Sequence, residues 1–296
     1  EFSIGKQYKK GTIGSYGAAA GKGLTWGGFF ITMCTLGIGF YYAVVTGWAL
    51  QYLGLTFSNL VNFFTGGSTI AAKLDNDPVF LENFWDGISY GSYGTVILYI
   101  LTVIAGVVVL SQGIQKGLER ANRILIPLLF VMLIIISIMS LTMDNGILGL
   151  EYMFAIDPSL FKEPAIWIEA LSQSAWSTGA GWGLIMTISS YSRNKEDVTL
   201  NTFIGGFGNN SASLIAGMAI LPSVFALAPS PEAAEAFLQS GNQALTFTII
   251  PKLFSTFTGG AIFSFIFFFA FFLAAFSSLL PMLELFISNL KDMGLT

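Results

Sequence analysis

The sequence predicts an all-α, polytopic membrane protein in which one spanning helix is interrupted. Two bulk properties predict the membrane class: 54% of the 296 residues are hydrophobic, and the mean hydropathy is +0.71. Only 10% of the residues are charged, whereas a soluble domain has about 25%. A cluster of small residues inside one apolar segment predicts the interruption.

Six apolar segments are long enough to cross a bilayer, which takes about 20 helical residues. They occupy about 25–52, 91–110, 119–143, 166–192, 199–226 and 259–290. The polar stretches at about 53–90, 144–165 and 227–258 are expected to be outer loops. The third contains PEAAEAFLQSG, with proline and glycine where a short helix would start and stop, followed by a second short element. A helical hairpin over the outer mouth and an ordinary surface loop both fit this composition.

The basic residues predict the orientation, because cytoplasmic loops carry an excess of Lys and Arg. If residues 1–24 are cytoplasmic, only three of the 13 basic residues lie outside: Lys73, Lys162 and Lys252. The other ten lie inside: Lys6, Lys9, Lys10, Lys22, Lys116, Arg120, Arg123, Arg193, Lys195 and Lys291.

Several function classes are disfavoured by the composition. The chain has no histidine, which argues against imidazole acid–base chemistry and His-ligated metals. The net charge of −4 gives no reason to expect a nucleic-acid partner. We find no nucleophile–base pair, metal cluster or phosphate loop, so an enzyme is not expected.

The small-residue cluster lies in QSAWSTGAGWGLIMTISSY, residues 173–191. In hydrocarbon every backbone polar group must be satisfied internally, so a break is tolerated only where it is buried or lines a cavity. We expect helix geometry to be lost near Thr178–Gly181, with freed carbonyls for a cation and the next half-helix N-terminus for an anion. A small-residue packing face is the alternative.

Polar residues elsewhere in the apolar segments lie at helical spacing. Tyr42 follows Ile38 by one turn, and Ser213 follows Asn209 by one turn. An asparagine at bilayer depth is costly and is usually functional or hydrogen-bonded between helices. Glu284 is expected to need a partner. The last segment places four residues on one face: Ala274, Ser277, Ser278 and Met282.

Five segments together resemble the neurotransmitter:sodium symporter family, in its bacterial amino-acid branch, a family that exemplifies transport through broken helices. EFSIGKQYKKG resembles the end of its second helix, GFYYAVVTGWAL its third, and SQGIQKGLERANRILIPLLF the loop into its fifth. SAWSTGAGWG resembles its unwound sixth helix and FSSLLPMLELFISN its eighth. The resemblance implies a partial inverted-repeat transporter fold in the cell membrane.

The same resemblance implies that residues 1–296 form one incomplete membrane domain. The end of helix two and a cytoplasmic loop would occupy about 1–24. Helices three to five would occupy 25–143, and helices six to eight with their outer loops 144–296. Helices one, two and nine to twelve are expected in the intact protein.

The resemblance also implies a substrate site, in which the Tyr42 hydroxyl meets a substrate carboxylate and Trp176 closes over the substrate from outside. Gly179 stands where many relatives have a larger residue and would leave room beside Trp182. The implied substrate residues are Ile38, Tyr42, Trp176, Ser177, Gly179, Trp182, Ser278 and Met282.

Ion sites and an inner gate are implied in the same way. Sodium ligands would be Ser177, Asn209, Ala274, Ser277 and Ser278. A chloride site would comprise Gln173, Ser177, Asn209 and Ser213, since some bacterial members carry a carboxylate one turn after the asparagine where this chain has serine. If the alignment with the family shifts by one residue, Asn210 becomes the ligand and Leu214 occupies the carboxylate position. Tyr191 and Asp292 match the inner gate.

The predicted function is therefore sodium-coupled symport of a neutral, apolar or aromatic amino acid by alternating access, with dependence on chloride. Two alternatives remain open. One is a carrier of the same fold with different ion coupling, for which Glu284 would be the proton relay. The other is a non-transporting fragment of such a transporter.

Overall fold

The computed structural model describes residues 1–89 and 93–295, with the Gln115 side chain left out. These residues form helices and connections, and none of them is in a β-strand. The α-helices are α1 (Phe2–Tyr8), α2 (Thr12–Ala20), α3 (Thr25–Thr65), α4 (Ile70–Asn76), α5 (Phe80–Ser89), α6 (Tyr93–Ser111), α7 (Glu119–Leu141), α8 (Gly146–Phe154), α9 (Pro164–Thr178), α10 (Leu184–Ser190), α11 (Val198–Leu227), α12 (Pro231–Gln239), α13 (Asn242–Ala244), α14 (Ile250–Phe254) and α15 (Gly260–Asp292). Short 3₁₀ segments cover Lys22–Leu24 and Pro158–Lys162, and π-helical turns cover Ile114–Leu118 and Leu245–Ile249.

Five of the described helices are long and apolar enough to cross a membrane: α3, α6, α7, α11 and α15. Their bounds agree with five of the six predicted segments to within a few residues, except at the end of α3. The sixth segment, predicted at 166–192, consists of the two shorter helices α9 and α10. The fold is therefore the expected all-α polytopic one with a discontinuous helix.

The predicted end of the first segment at residue 52 is wrong, because α3 continues to Thr65 and has 41 residues. At 1.5 Å per residue it is about 62 Å long, about twice the thickness of the hydrocarbon core. Gly66 ends it at φ 73. Beyond this turn, Asn59 Oδ1 accepts from the Ile70 N–H at 2.8 Å, so a side chain on α3 fixes the start of α4.

The stretch 227–258 is a helical hairpin rather than a surface loop. Ser230 Oγ accepts from the Ala233 N–H at 3.2 Å and caps α12, as expected for a serine before a helical proline. The second arm is buried: Phe247, Ile250 and Phe254 are at most 3% exposed and pack in the core with residues of α3 and α15. The hairpin therefore closes the outer end of the bundle.

The predicted cytoplasmic stretch 1–24 is also largely helical. The N-terminus of α2 docks on the end of α15, where Asp292 Oδ2 accepts from the Gly11 N–H at 2.6 Å. Asn289 Oδ1 accepts from the Ile13 N–H at 2.9 Å. Both bonds satisfy donors that a helix N-terminus leaves free.

Candidate functional site

The interruption begins where α9 ends at Thr178. Gly179 has φ 67, its N–H donates to the Trp176 carbonyl at 3.3 Å, and the Ala180 N–H donates to the Ala175 carbonyl at 3.1 Å. This pair of bonds is the Schellman pattern, which requires a left-handed residue and favours glycine. The predicted break at Thr178–Gly181 is confirmed, and it extends to Gly183.

The chain re-enters a helix at Leu184 after two further left-handed glycines. Gly181 has φ 81 and Gly183 has φ 76. A Cβ at Gly183 would also lie 2.5 Å from Thr12 Oγ1. Backbone conformation and close packing therefore both explain why small residues occupy this segment.

Side chains from two other elements hold the unwound backbone. Thr35 on α3 donates from Oγ1 to the Trp182 carbonyl at 2.7 Å. Glu1 Oε1 accepts from the N–H groups of Gly181 and Gly183 at 2.9 and 3.3 Å. Two donors of the unwound segment just before α10 thus contact a protein carboxylate.

Thr35 and Glu1 are absent from the residues predicted from sequence. A signal for Thr35 existed, because it is a polar residue within the predicted apolar segment 25–52. Nothing in the sequence around Glu1 distinguishes it from the other acidic residues of the chain.

The two tryptophans that bracket the break pack against one another. The ring centroids of Trp176 and Trp182 are 4.8 Å apart at an interplanar angle of 75°, an edge-to-face contact. Trp176 remains 46% exposed. A Cβ at Gly179 would meet Leu184 Cδ1 at 3.4 Å. Leu184 is therefore the side chain that a larger residue at position 179 would meet first, and the room beside Trp182 remains a prediction.

The predicted substrate residues of α3 lie on the face that holds the break. Ile38 and Tyr42 follow Thr35 by three and seven residues, the spacing of one helix face, and both are half-buried. A Cβ built on Gly39 would lie 3.7 Å from Met282 Cβ, so α15 presents Met282 beside this part of α3. The unwound segment, α3 and α15 thus converge on one region.

Ser177 and Asn209 connect the end of α9 to α11. Ser177 Oγ lies 3.1 Å from Asn209 Oδ1, and Asn209 Nδ2 lies 2.9 Å from Ser177 Oγ, both within hydrogen-bond distance. Asn209 is half-buried, whereas the neighbouring Asn210 is exposed. Gln173 and Ser213, the other predicted chloride residues, are exposed. The structure therefore joins two of these four residues directly.

The remaining predicted sodium ligands lie on α15. Ser277 Oγ donates to the Ala274 carbonyl at 3.0 Å, and Ser278 is half-buried beside them. All of these groups are uncharged oxygens, which suit a hard monovalent cation in a dry site.

The predicted inner-gate residues have separate partners. Tyr191 donates its hydroxyl hydrogen to Glu284 Oε1 at 2.7 Å, and Glu284 is only 2% exposed. Glu284 thus has the partner that its position in an apolar segment required. Asp292 instead accepts from Gly11 at the N-terminus of α2. The structure does not bond Tyr191 to Asp292.

Comparison with known proteins finds relatives that match nearly the whole chain. The chain is 28% identical to an uncharacterised sodium-dependent transporter of Haemophilus influenzae over 98% of its own length and 61% of that protein. It is 24% identical to the sodium-dependent serotonin transporter of Drosophila melanogaster over 90% of its length and 46% of that protein.

A solved structure, MhsT in complex with L-phenylalanine, matches with a TM-score of 0.78 and 29% identity, over 98% of this chain and 62% of MhsT. The chain thus spans about three-fifths of the bacterial relative and of MhsT. The sequence profile of the sodium:neurotransmitter symporter family matches residues 81–295. This chain of membrane-spanning helices therefore belongs to the sodium:neurotransmitter symporter family, whose members are transporters rather than enzymes.

Proposed function

We propose that the intact protein carries out sodium-coupled symport of a neutral, apolar amino acid by alternating access. The observation that carries this proposal is the unwound segment 179–183, held by Thr35 of α3 and next to the Ser177–Asn209 pair. An interrupted spanning helix exposes backbone to a ligand near the middle of the membrane. The sodium-dependent relatives support the choice of ion.

Sodium would bind among neutral oxygens at two places. Ser177 lies at the C-terminal end of α9, where the helix dipole favours a cation, and Asn209 of α11 contacts it there. Ala274 and Ser277 offer a carbonyl and a hydroxyl oxygen 3.0 Å apart on α15, with Ser278 adjacent. The ligands at both places are neutral oxygens, whose dipoles can replace the hydration shell of a monovalent ion.

The substrate would bind between α3, α15 and the two tryptophans. Tyr42 offers a hydroxyl to a carboxylate, while Ile38, Trp176, Trp182 and Met282 offer uncharged, mostly apolar walls to a side chain. A charged side chain would lose its hydration there without a counter-ion. The presence of L-phenylalanine in the MhsT complex supports a large apolar side chain.

Chloride would bind between α9 and α11, where its negative charge offsets the co-transported cation. Gln173 precedes Ser177 by one turn and Ser213 follows Asn209 by one turn. If α9 and α11 run antiparallel, Gln173 and Ser213 lie on the same side of the Ser177–Asn209 pair. Four neutral side chains capable of donating hydrogen bonds would then surround one anion.

The test is uptake by the intact protein in liposomes with an imposed sodium gradient. Labelled leucine and tryptophan are competed with a panel of unlabelled amino acids. We expect sodium-dependent uptake that large apolar amino acids inhibit best. Best inhibition by glutamate or lysine would contradict the substrate assignment, uptake without sodium would contradict the coupling, and no uptake of any amino acid would favour an inert protein.

A further inference from the structure

The start of α7, with the π-helical turn that leads into it, carries a cluster of basic side chains. Lys116, Arg120 and Arg123 follow one another at intervals of four and three residues, which places them on one helix face, and all three are exposed. Arg123 is paired with Glu119 at 2.7 Å. Within residues 1–89 and 93–295, Lys116 and Arg120 form no ion pair. Two adjacent positive charges in this part of the chain are therefore not offset by a carboxylate.

An apolar stripe continues from the basic cluster along α7. It consists of exposed residues that recur every three or four positions, and we refer to it as the α7 stripe: Ile124, Pro127, Val131, Ile134 and Ile138. The four β-branched members are 45–62% exposed, so their described neighbours leave them largely uncovered. Val131 lies 11 residues beyond Arg120, or about 17 Å along the helix. One leaflet of the hydrocarbon core is about 15 Å thick, so the stripe extends through a whole leaflet.

Packing places the basic cluster toward the cytoplasmic side of the bundle. Leu118, between Lys116 and Arg120, packs with Leu280 and Ile287 of α15. The same helix ends at Asp292, which holds the start of α2 in the cytoplasmic stretch 1–24. The cytoplasmic leaflet carries a negative surface potential, because anionic lipids are concentrated in it. The two positive charges therefore lie at the level of anionic headgroups.

Charge and shape together select one occupant for this surface. A phosphate group can accept hydrogen bonds from Arg120 and Lys116 at once, while the acyl chains of the same molecule lie on the α7 stripe. Phosphatidylcholine would bring its own cation toward these two charges, whereas phosphatidylglycerol has no cation. Basic residues that serve only to orient a helix in the membrane would not distinguish the two lipids.

We propose that the start of α7 binds one anionic phospholipid of the inner leaflet. Its phosphate lies between Lys116 and Arg120, and its acyl chains follow the α7 stripe away from the cytoplasm. The site lies on the outer surface of the bundle and shares no residue with the proposed substrate and ion sites. The inference therefore goes beyond the proposed transport function.

The test is native mass spectrometry of the intact protein, delipidated in detergent and titrated with phosphatidylglycerol or with phosphatidylcholine of the same acyl chains. We expect one high-affinity binding step with phosphatidylglycerol alone. Lys116→Gln combined with Arg120→Gln should weaken this step at least tenfold, since one hydrogen bond to a charged group contributes that much. Arg193→Gln combined with Lys195→Gln is the matched control, because it removes two exposed basic residues from a polar loop and should leave the affinity unchanged.

The acyl-chain contact has a separate test. Val131→Asn places a polar side chain of similar size on the α7 stripe, away from the phosphate, and should weaken the phosphatidylglycerol step several-fold. Glycerol 1-phosphate, which has the charge but no acyl chains, should not displace the lipid.

Three outcomes would each overturn the proposal: equal binding of the two lipids, displacement by glycerol 1-phosphate, and unchanged affinity after loss of Lys116 and Arg120. Equal binding would leave orientation as the role of the basic cluster. The absence of any lipid step would indicate that another segment of the intact protein covers the stripe, which also contradicts the proposal. None of these measurements depends on transport, so failure here is distinguishable from failure of the proposed function.

Discussion

Ser177 and Asn209 lie 32 residues apart in sequence and contact one another through both ends of the Asn209 amide, at 2.9 and 3.1 Å. The contact ties the last turn of α9, just before the unwound segment, to α11. The Ser177 hydroxyl and the Asn209 amide now hydrogen-bond to one another, and an ion that binds here would replace this contact. The two oxygens would therefore already be positioned before the ion binds.

Replacing Asn209 with alanine should raise the half-saturating sodium concentration by at least tenfold. The substitution removes a proposed ligand oxygen and leaves the Ser177 hydroxyl without its partner. Asn210→Ala is the control, because Asn210 is exposed on the same helix and its loss should leave sodium affinity unchanged. Sodium titration of uptake measures both. If Asn210→Ala has the larger effect, the register of the sodium site is shifted by one residue.

Substituting Thr35 with valine should weaken substrate binding about five- to twentyfold and lower the thermal stability. The change removes the 2.7 Å bond to Trp182 and leaves that carbonyl without this donor in the break, at a cost of about 1–3 kcal/mol. Thr32→Val is matched to it, since Thr32 is equally buried but bonds only to the Gly28 carbonyl of its own helix. Equal effects of the two variants in a binding assay and a melting curve would argue against a positioning role for Thr35.

Removing the Tyr42 hydroxyl should weaken substrate binding by about 1.5–3 kcal/mol, the range for a hydrogen bond to a charged group. Tyr42→Phe keeps the ring that packs edge-to-face with Tyr41 at 6.2 Å. Tyr41→Phe is the control on the neighbouring, 48% exposed residue. The measurement is the dissociation constant of labelled substrate. A loss that appears in Tyr41→Phe instead would reassign the carboxylate partner.

Replacing Ser213 with glutamate should relieve the dependence of uptake on chloride, because a fixed carboxylate would supply the charge that the anion otherwise brings. The assay compares sodium-driven uptake in chloride and in gluconate for the native protein and the variant. Ser211→Glu, an exposed site on the same helix, should not relieve it. Native uptake that is indifferent to gluconate would refute the chloride site.

Breaking the Tyr191–Glu284 bond should loosen the cytoplasmic end of the bundle. Tyr191→Phe removes the donor, and Glu284→Leu removes the acceptor while keeping a side chain of similar size. We expect a double-mutant cycle on thermal stability to give a coupling of about 1–3 kcal/mol. A coupling near zero would show that the 2.7 Å contact contributes nothing to the folded state.

Local features of the sequence were enough to predict the spanning segments and the break. Hydropathy and the proline and glycine signals at helix ends depend on residues within a turn or two of one another. The apolar segments, the helix start at Pro231 and the helix break at Gly179 could therefore be predicted directly from the sequence. The same information failed beyond residue 52, because packing of the α3 extension against the outer core, and its Asn59 contact with α4, sustain a helix that composition alone did not indicate.

The sequence by itself determined that this is a helical membrane chain with one interrupted span and a few buried polar groups. Only the tertiary structure decided which of those groups meet. Thr35 contacts Trp182 across 147 residues, and Tyr191 contacts Glu284 across 93. The physical reason is that a polar group in an apolar segment must find a partner, but the identity of that partner depends on how separate helices pack.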